Sequence, residues 1–189
     1  MPSIRISDID DLIDRCLLED KKAQRELYML YSSKVMGICR RYSYSKFEAD
    51  DIFQEAFITI YKGMKSYDKM KGEFEHWLHR ITVNCALKHI QKNSRNNFVD
   101  IDETNENNLE NVELNDSLNA KELLFLIDQL PPGKKTIFNL YVIEGYTHKE
   151  ISEMLRISEG TSKSQLAKAK EILVKLHHGH YSLGEKIFN

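Results

Sequence analysis

Lys163, Ser164, Ala167 and Lys168 fall at steps of one, three and one. On a helix that spacing gathers two lysines and two small side chains on one face. Small residues let a helix sink into the major groove of duplex DNA, and lysines there reach phosphates or guanine edges. The surrounding chain supplies the elements this chemistry needs. Residues 147–155 read as a short helix with Ile151, Met154 and Leu155 on one face. Arg156, Ile157 and Ser158 supply a tight turn, and Ser158 is a suitable N-cap. A second helix then runs from 159 to about 176, with Leu166, Ala169, Leu173 and Leu176 inward. Two short helices in this relation, the second small and basic outside, form a helix-turn-helix DNA reader. An ordinary helical hairpin has the same apolar pattern, so both readings stand at this point.

A second polar set lies in residues 72–95. Arg80, Asn84, Lys88, Gln91 and Arg95 follow one another at steps of four, four, three and four. At 100° per residue they fit within about 80° of arc, one polar-basic stripe. Phe74, Trp77, Leu78, Ile81 and Cys85 form the core side, and His79 and Lys92 flank the stripe. Just before it comes SYDKMKGEF, in which Tyr67 and Phe74 accompany lysines and a glycine. Basic groups beside aromatics and an amide suit unpaired bases held by stacking and edge hydrogen bonds. A solvated helix face is the competing reading.

A third set is acidic. Residues 47–64 place Ala49, Ile52, Phe53, Ala56, Phe57, Ile60, Tyr61 and Met64 on an unbroken apolar stripe. Glu48, Asp51, Gln54 and Glu55 lie outside it, near the helix start, where carboxylates also suit the dipole. Paired carboxylates raise the option of a metal-dependent nuclease, but no partner acid or histidine stands at ligand-like spacing elsewhere. A protein-docking surface is the preferred reading, with a solvated face the bland one. A further helix is expected over 21–42, with Ala23, Leu27, Leu30, Tyr31, Ile38 and Tyr42 near one stripe.

The expected organisation is therefore all-α. It comprises a helical domain at 1–95, a linker at 96–118, a helix-turn-helix domain at 119–180 and a tail at 181–189. Residues 96–117 contain no lysine or arginine but seven carboxylates and seven asparagines. Without a sustained period, that stretch cannot offset its own ordering entropy and reads as a flexible tether. Its charge either lies in a basic channel, repels DNA from other faces, or merely solvates a spacer. With 189 residues there is room for one ordinary domain or two small ones. A net charge of −2 confines nucleic-acid contact to local basic faces.

No apolar run reaches membrane-spanning length and no signal pattern opens the chain, so a cytoplasmic protein without membrane insertion is expected. Cys16, Cys39 and Cys85 lack a CxxC pair and fit buried, reduced thiols. His177, His178 and His180 either suit the negative end of the last helix, lie on a frayed tail, or catch a metal ion. No metal, cofactor, nucleotide-binding loop or nucleophilic constellation is expected, and no enzyme.

Taken together, the chain resembles the extracytoplasmic-function sigma factors of bacterial RNA polymerase. The resemblance rests on EADDIFQEAFITIYKGMKSYD and EFEHWLHRITVNCALKHIQKNSR in the first half. In the second half it rests on LPPGKKTIFNLYVIEGYTHKEISEMLRISEGTSKSQLAKAKEIL. It covers nearly everything but the tether and the extreme ends. The wording of the second block is most similar to sigma factors of the Bacteroidetes.

The resemblance implies roles at matching positions. Asp51, Gln54, Glu55 and Phe57 match the stretch that docks on the clamp coiled coil of core polymerase. Leu130, Phe138 and Tyr141 lie where the second module meets the flap. Phe74, Trp77, Asn84 and Lys88 match the part that opens the −10 element, and Arg80, Gln91 and Arg95 complete that stripe. Lys163, Ser164, Ala167 and Lys168 match positions that read the −35 element, with Thr147, His148 and Thr161 near its phosphates. An anti-sigma factor or another regulatory partner in trans is implied, as no long extension stands at either end. Two departures bear on DNA contacts. Lys88 stands where relatives often carry an acid, and Gln165, Ala167 and Lys168 stand where many have a bulkier, arginine-rich helix. Arg156 replaces a frequent glycine, at a cost of about 1 kcal/mol if left-handed.

Two readings from other classes remain beside this one. A free-standing helix-turn-helix regulator would bind its operator without polymerase, and a metal-dependent nucleic-acid enzyme would cleave DNA.

Overall fold

Asp20 opens the first long helix in a computed structural model that describes the backbone of residues 6–93 and 120–187 and the side chains of 9–92 and 122–177. All secondary structure among the described residues is helical. They divide into two compact units, the division falling between Ile90 and Gln91.

The first unit begins with α1 (Ile6–Leu17), which buries Leu12, Ile13 and Cys16. A turn with Glu19 at φ 60° leads to α2 (Lys21–Tyr42). The Asp20 side chain accepts from the Lys22 amide at 2.8 Å, satisfying one of the helix's orphan donors. Arg15 spans the same turn, pairing with Asp11, Asp20 and Glu26 at 3.5, 3.6 and 3.2 Å. These partly exposed pairs orient the turn more than they stabilise it. Ala23, Leu27, Tyr31, Val35, Ile38, Cys39 and Tyr42 are buried at steps of three, four and one. That is the stripe the sequence predicts over 21–42, extended by Val35 and Cys39, with Leu30 only half-buried.

Ser45 caps α3 (Lys46–Gly63), accepting from the Glu48 amide at 3.1 Å, while the Glu48 carboxylate accepts from Tyr44 N at 2.8 Å. Ala49, Ile52, Ala56, Phe57 and Ile60 are buried here, each large one contributing roughly 1.5–3 kcal/mol. A 3₁₀ turn (Met64–Ser66) and a loop lead to α4 (Phe74–Asn93). Leu78, Val83, Cys85, Ala86, Leu87 and Ile90 of α4 are in the core.

The second unit contains α5 (Ala120–Asp128), α6 (Pro132–Phe138), a π-helical segment (Asn139–Ile143), α7 (His148–Leu155) and α8 (Glu159–Ile187). Pro132 stands in the first turn of α6, where its missing amide hydrogen costs nothing. The buried Lys135 sends its ammonium 3.0 Å from Asp128, tying α6 to α5. The π segment is closed by Glu144 N donating to Asn139 O at 3.0 Å. Gly145, at φ 77°, then turns the chain into α7. Leu126, Ile127, Leu130, Ile137, Phe138, Leu140, Ile151, Leu155, Leu166, Ala169 and Leu173 form the core.

One boundary differs from expectation. The last helix does not end near 176 but continues to Ile187, so His177, His178 and His180 lie within it and not at its end. His177 is buried; the side chains of His178 and His180 lie outside the described residues.

Candidate nucleic-acid interface

Thr147 caps α7 through a full capping box. Its hydroxyl accepts from the Glu150 amide at 3.3 Å, and the Glu150 carboxylate accepts from Thr147 N at 2.8 Å. The Thr147 amide, and the Thr147 hydroxyl 2.8 Å from the same carboxylate oxygen, hold the Glu150 carboxyl below its ordinary pKa. The threonine at the start and the glutamate three residues on were legible as a capping box, although the sequence reading passed over the glutamate. At the other end Arg156 adopts φ 57°, ψ 45°, the left-handed conformation. There Ile157 N donates back to Ser152 O at 3.1 Å. Ser158 then caps α8, accepting from Thr161 N at 2.9 Å, and its hydroxyl lies 2.9 Å from that of Thr161.

The outward face of α8 carries Lys163 and Ser164, both exposed, with Ala167 and Lys168 half-buried beside them. The Ser164 hydroxyl donates to Thr161 O at 3.1 Å. Thr161 and His148 are half-buried and Thr147 is exposed. Gln165 turns inward and is buried, so it does not share this face. Sequence reasoning also passed over Ser162, which is fully buried and lies 2.9 Å through Oγ from His148 Nδ1. The His148 ring stacks on Tyr141, centroids 4.5 Å apart and planes 22° from parallel. Burial holds this imidazole below its ordinary value of 6.5. Lys163 and Lys170 push the same way, and Glu159 opposes them. A neutral ring offers one donor and one acceptor.

In the first unit Arg80, Asn84 and Lys88 are exposed along one side of α4, and Gln91, just past that unit's boundary on the same helix, is half-buried. Arg95 lies outside the described residues. Trp77 is half-buried, whereas Phe74 is only 3% exposed. An aromatic cluster explains the difference. Phe74 lies 5.5 Å from Tyr31, 5.2 Å from Tyr67 and 5.3 Å from Trp77, and Tyr67 lies 5.7 Å from Trp77. Phe74 is thus the cluster's foundation, and Tyr67 and Trp77 are its open edge. The Tyr67 hydroxyl donates to Gly72 O at 3.2 Å, closing the loop on itself. Lys69 reaches Asp10 of α1 at 3.5 Å, which fastens that loop to the unit.

Asp51, Gln54 and Glu55 stand exposed on α3, while Phe57 is 5% exposed behind them. Phe57 packs on Tyr28 and Phe53 at 4.8 and 4.9 Å. An open groove of about 490 Å³ runs alongside, lined by Tyr28, Ser32, Met36, Asp50, Phe53 and Gln54 among others. In the second unit Leu130 and Phe138 are core residues, each 3% exposed, and Tyr141 presents an accessible edge. Val142 and Ile143 beside it are exposed as well, a patch the sequence reading did not single out because the π turn that creates it has no period of its own. Among the described residues no cluster of three or more His, Cys, Asp or Glu side chains is poised to hold a metal ion. No helix among them is long and apolar enough to cross a membrane.

Comparison with known proteins gives a consistent picture. Residues 27–96 match the Sigma-70 region 2 family, and residues 120–173 match Sigma-70, region 4. The chain is 30% identical over 174 residues to an ECF RNA polymerase sigma-E factor of Haemophilus influenzae, covering 86% of this chain and 91% of that relative. It is 29% identical over 178 residues to the RNA polymerase sigma-H factor of Pseudomonas aeruginosa, covering 87% and 91%. ECF RNA polymerase sigma factor SigW of Bacillus subtilis is 30% identical over 168 residues, covering 82% and 89%. Among solved structures, CnrH in complex with the cytosolic domain of CnrY aligns at a TM-score of 0.45 and 16% identity, over 89% of this chain and 96% of that one.

Proposed function

The chain belongs to the extracytoplasmic-function sigma factors, and from that premise we propose how its residues divide the work of promoter recognition. It is an alternative sigma factor that binds core RNA polymerase and directs transcription initiation at promoter DNA. The observation that carries this is the occurrence of both family regions in one chain, in order, over nine-tenths of a relative's length.

The exposed Asp51, Gln54 and Glu55 form the docking edge for the clamp coiled coil. Phe57 acts from beneath by fixing the α3 surface. Tyr141 offers the edge that meets the flap, with Leu130 and Phe138 holding its element in place. Arg80, Asn84, Lys88 and Gln91, continued by Arg95, track the −10 strand. Trp77, on its Phe74 foundation, offers a stacking surface to an extruded base. Such a pocket supports melting by differential binding: it stabilises the open state by a few kcal/mol against a similar unstacking cost. Lys163, Ser164, Ala167 and Lys168 read the −35 element, while Thr147, Thr161 and His148 lie at its phosphate side.

The working boundaries are 1–95, 96–118, 119–180 and 181–189, with the acidic segment as tether. Neither DNA-facing surface is strong alone, and polymerase converts them into a bivalent reader. The protein acts as a binding subunit in the cytoplasm, where polymerase works. Its control falls to an anti-sigma factor or another partner in trans. The wording GYTHKEISEMLRISEGTSKSQL supports a Bacteroidetes-type member.

Transcription by purified core polymerase on a promoter library, with and without the chain, tests the reading. Enrichment of promoters sharing two spaced elements is expected only when the chain is present. Operator binding without polymerase and no gain in transcription would instead establish a free-standing regulator.

A further inference from the structure

Tyr141, His148 and Ser162 belong to three successive elements of the second unit: the π segment, the first turn of α7 and the first turns of α8. They meet at one point, through the 4.5 Å ring stack and the 2.9 Å contact between His148 Nδ1 and Ser162 Oγ. Ser162 is fully buried and immediately precedes the exposed pair Lys163 and Ser164. Any rotation of α8 about its axis therefore moves Ser162 and that pair together. Leu166, Ala169 and Leu173 seat the rest of the helix, but apolar contact is non-directional and tolerates small rotations. A hydrogen bond is directional and does not.

We infer that the Tyr141–His148–Ser162 contact sets the rotational seating of α8, so that His148 is a positioning residue for −35 specificity and acts through Nδ1, not as a phosphate ligand through Nε2. The inference rests on the reading of α8 as the −35 helix and revises the part played by His148 within it. The ring's neutrality fits the role. Burial and the ammonium groups of Lys163 and Lys170 on α8 disfavour the imidazolium, with Glu159 alone opposing them, which leaves Nδ1 free to accept from the Ser162 hydroxyl. Tyr141, stacked on the ring, adds an aromatic face and no formal charge.

The two nitrogens are separable by substitution. An asparagine amide stands near the position of Nδ1, and a glutamine amide near that of Nε2. The test is transcription by core polymerase carrying the full-length chain, on promoters randomised across the −35 element behind a constant −10 element. His148→Ala and His148→Gln should reorder the preferred −35 sequences, the best wild-type sequence falling roughly three- to tenfold. His148→Asn should restore the wild-type order. Ser162→Ala should reproduce the reordering, and combining it with His148→Ala should add nothing further.

A wild-type order in His148→Ala overturns the inference. So does rescue by glutamine but not asparagine, which would make Nε2 a direct DNA contact, and so does additivity in the double variant. The asparagine–glutamine comparison decides alone if Ser162→Ala fails to fold by circular dichroism. A wild-type chain that transcribes from the −10 element without any −35 preference overturns the α8 reading itself, and that signature is distinct from the others.

Discussion

Arg156 places a long charged side chain in the left-handed region, at φ 57° and ψ 45°, between the two helices of the DNA-reading motif. Its Cβ crowds the following carbonyl in that conformation, a strain that glycine escapes. The side chain is exposed. Arg156→Gly should therefore raise stability by roughly 0.5 kcal/mol, the relief of strain being partly offset by the greater freedom of the unfolded chain. Urea unfolding of the full chain measures it, and Arg156→Ala, which keeps the Cβ, should leave the midpoint almost unmoved. A gain from alanine equal to that from glycine would place the effect in the lost charge. Turn position was readable from Arg156-Ile157-Ser158, and the left-handed conformation is the one the resemblance raised through the glycine that relatives often carry there.

At the scale of elements, helix faces were the most legible feature. Most of the apolar steps in 21–42 and 47–64 recur as buried residues of α2 and α3, with Leu30, Phe53 and Tyr61 half-buried, and Asp51, Gln54 and Glu55 emerge exposed. Reversing charge at Asp51 and Glu55 should lower core-polymerase affinity by at least about 2 kcal/mol if they meet opposite charges. Helical circular dichroism should be retained, since both are exposed. Wild-type affinity in the double variant would remove this face from docking.

Lys163→Ala or Lys168→Ala should cost about 1–3 kcal/mol on a subset of −35 sequences if a guanine is read. If only phosphate is met, every sequence should weaken alike and the salt slope should fall by roughly one. Titration of holoenzyme over several salt concentrations separates the cases. What periodicity did not reveal were the positions where tertiary packing overrides pattern. Gln165 and Ser162 are polar yet inward. The π segment shifts its own register, so a 3.6-residue template cannot follow it.

Across the whole molecule, a net charge of −2 leaves little non-specific attraction to DNA. On the proposed reading, affinity comes from holding two weak surfaces at the spacing of two promoter elements. Asn84→Ala and Lys88→Ala lie on the exposed side of α4, so stability should change within about 0.5 kcal/mol. If that stripe and the edge of Tyr67 and Trp77 receive a flipped base, closed complexes should form normally and open poorly. A bubble template, already melted across the −10 element, should partly rescue transcription. Permanganate footprinting with run-off assays on duplex and bubble templates reads both steps. Normal opening on duplex would leave the stripe a solvated face, and an equal defect on both templates would move its role to docking.

All three cysteines of the chain, Cys16, Cys39 and Cys85, are buried in the first unit. Burial pushes the Cys16 thiol up to about 11 and the Cys39 thiol up to about 12, and it raises Cys85 too. Only the thiolate attacks a disulfide reagent or alkylating agent, so the folded unit is chemically silent. Labelling must wait for local or global opening, and its rate then measures the free energy of that opening. Because the second unit has no thiol, an unmodified chain reports the stability of its first half alone. The same labelling clock, run with and without core polymerase, would time how docking tightens that half.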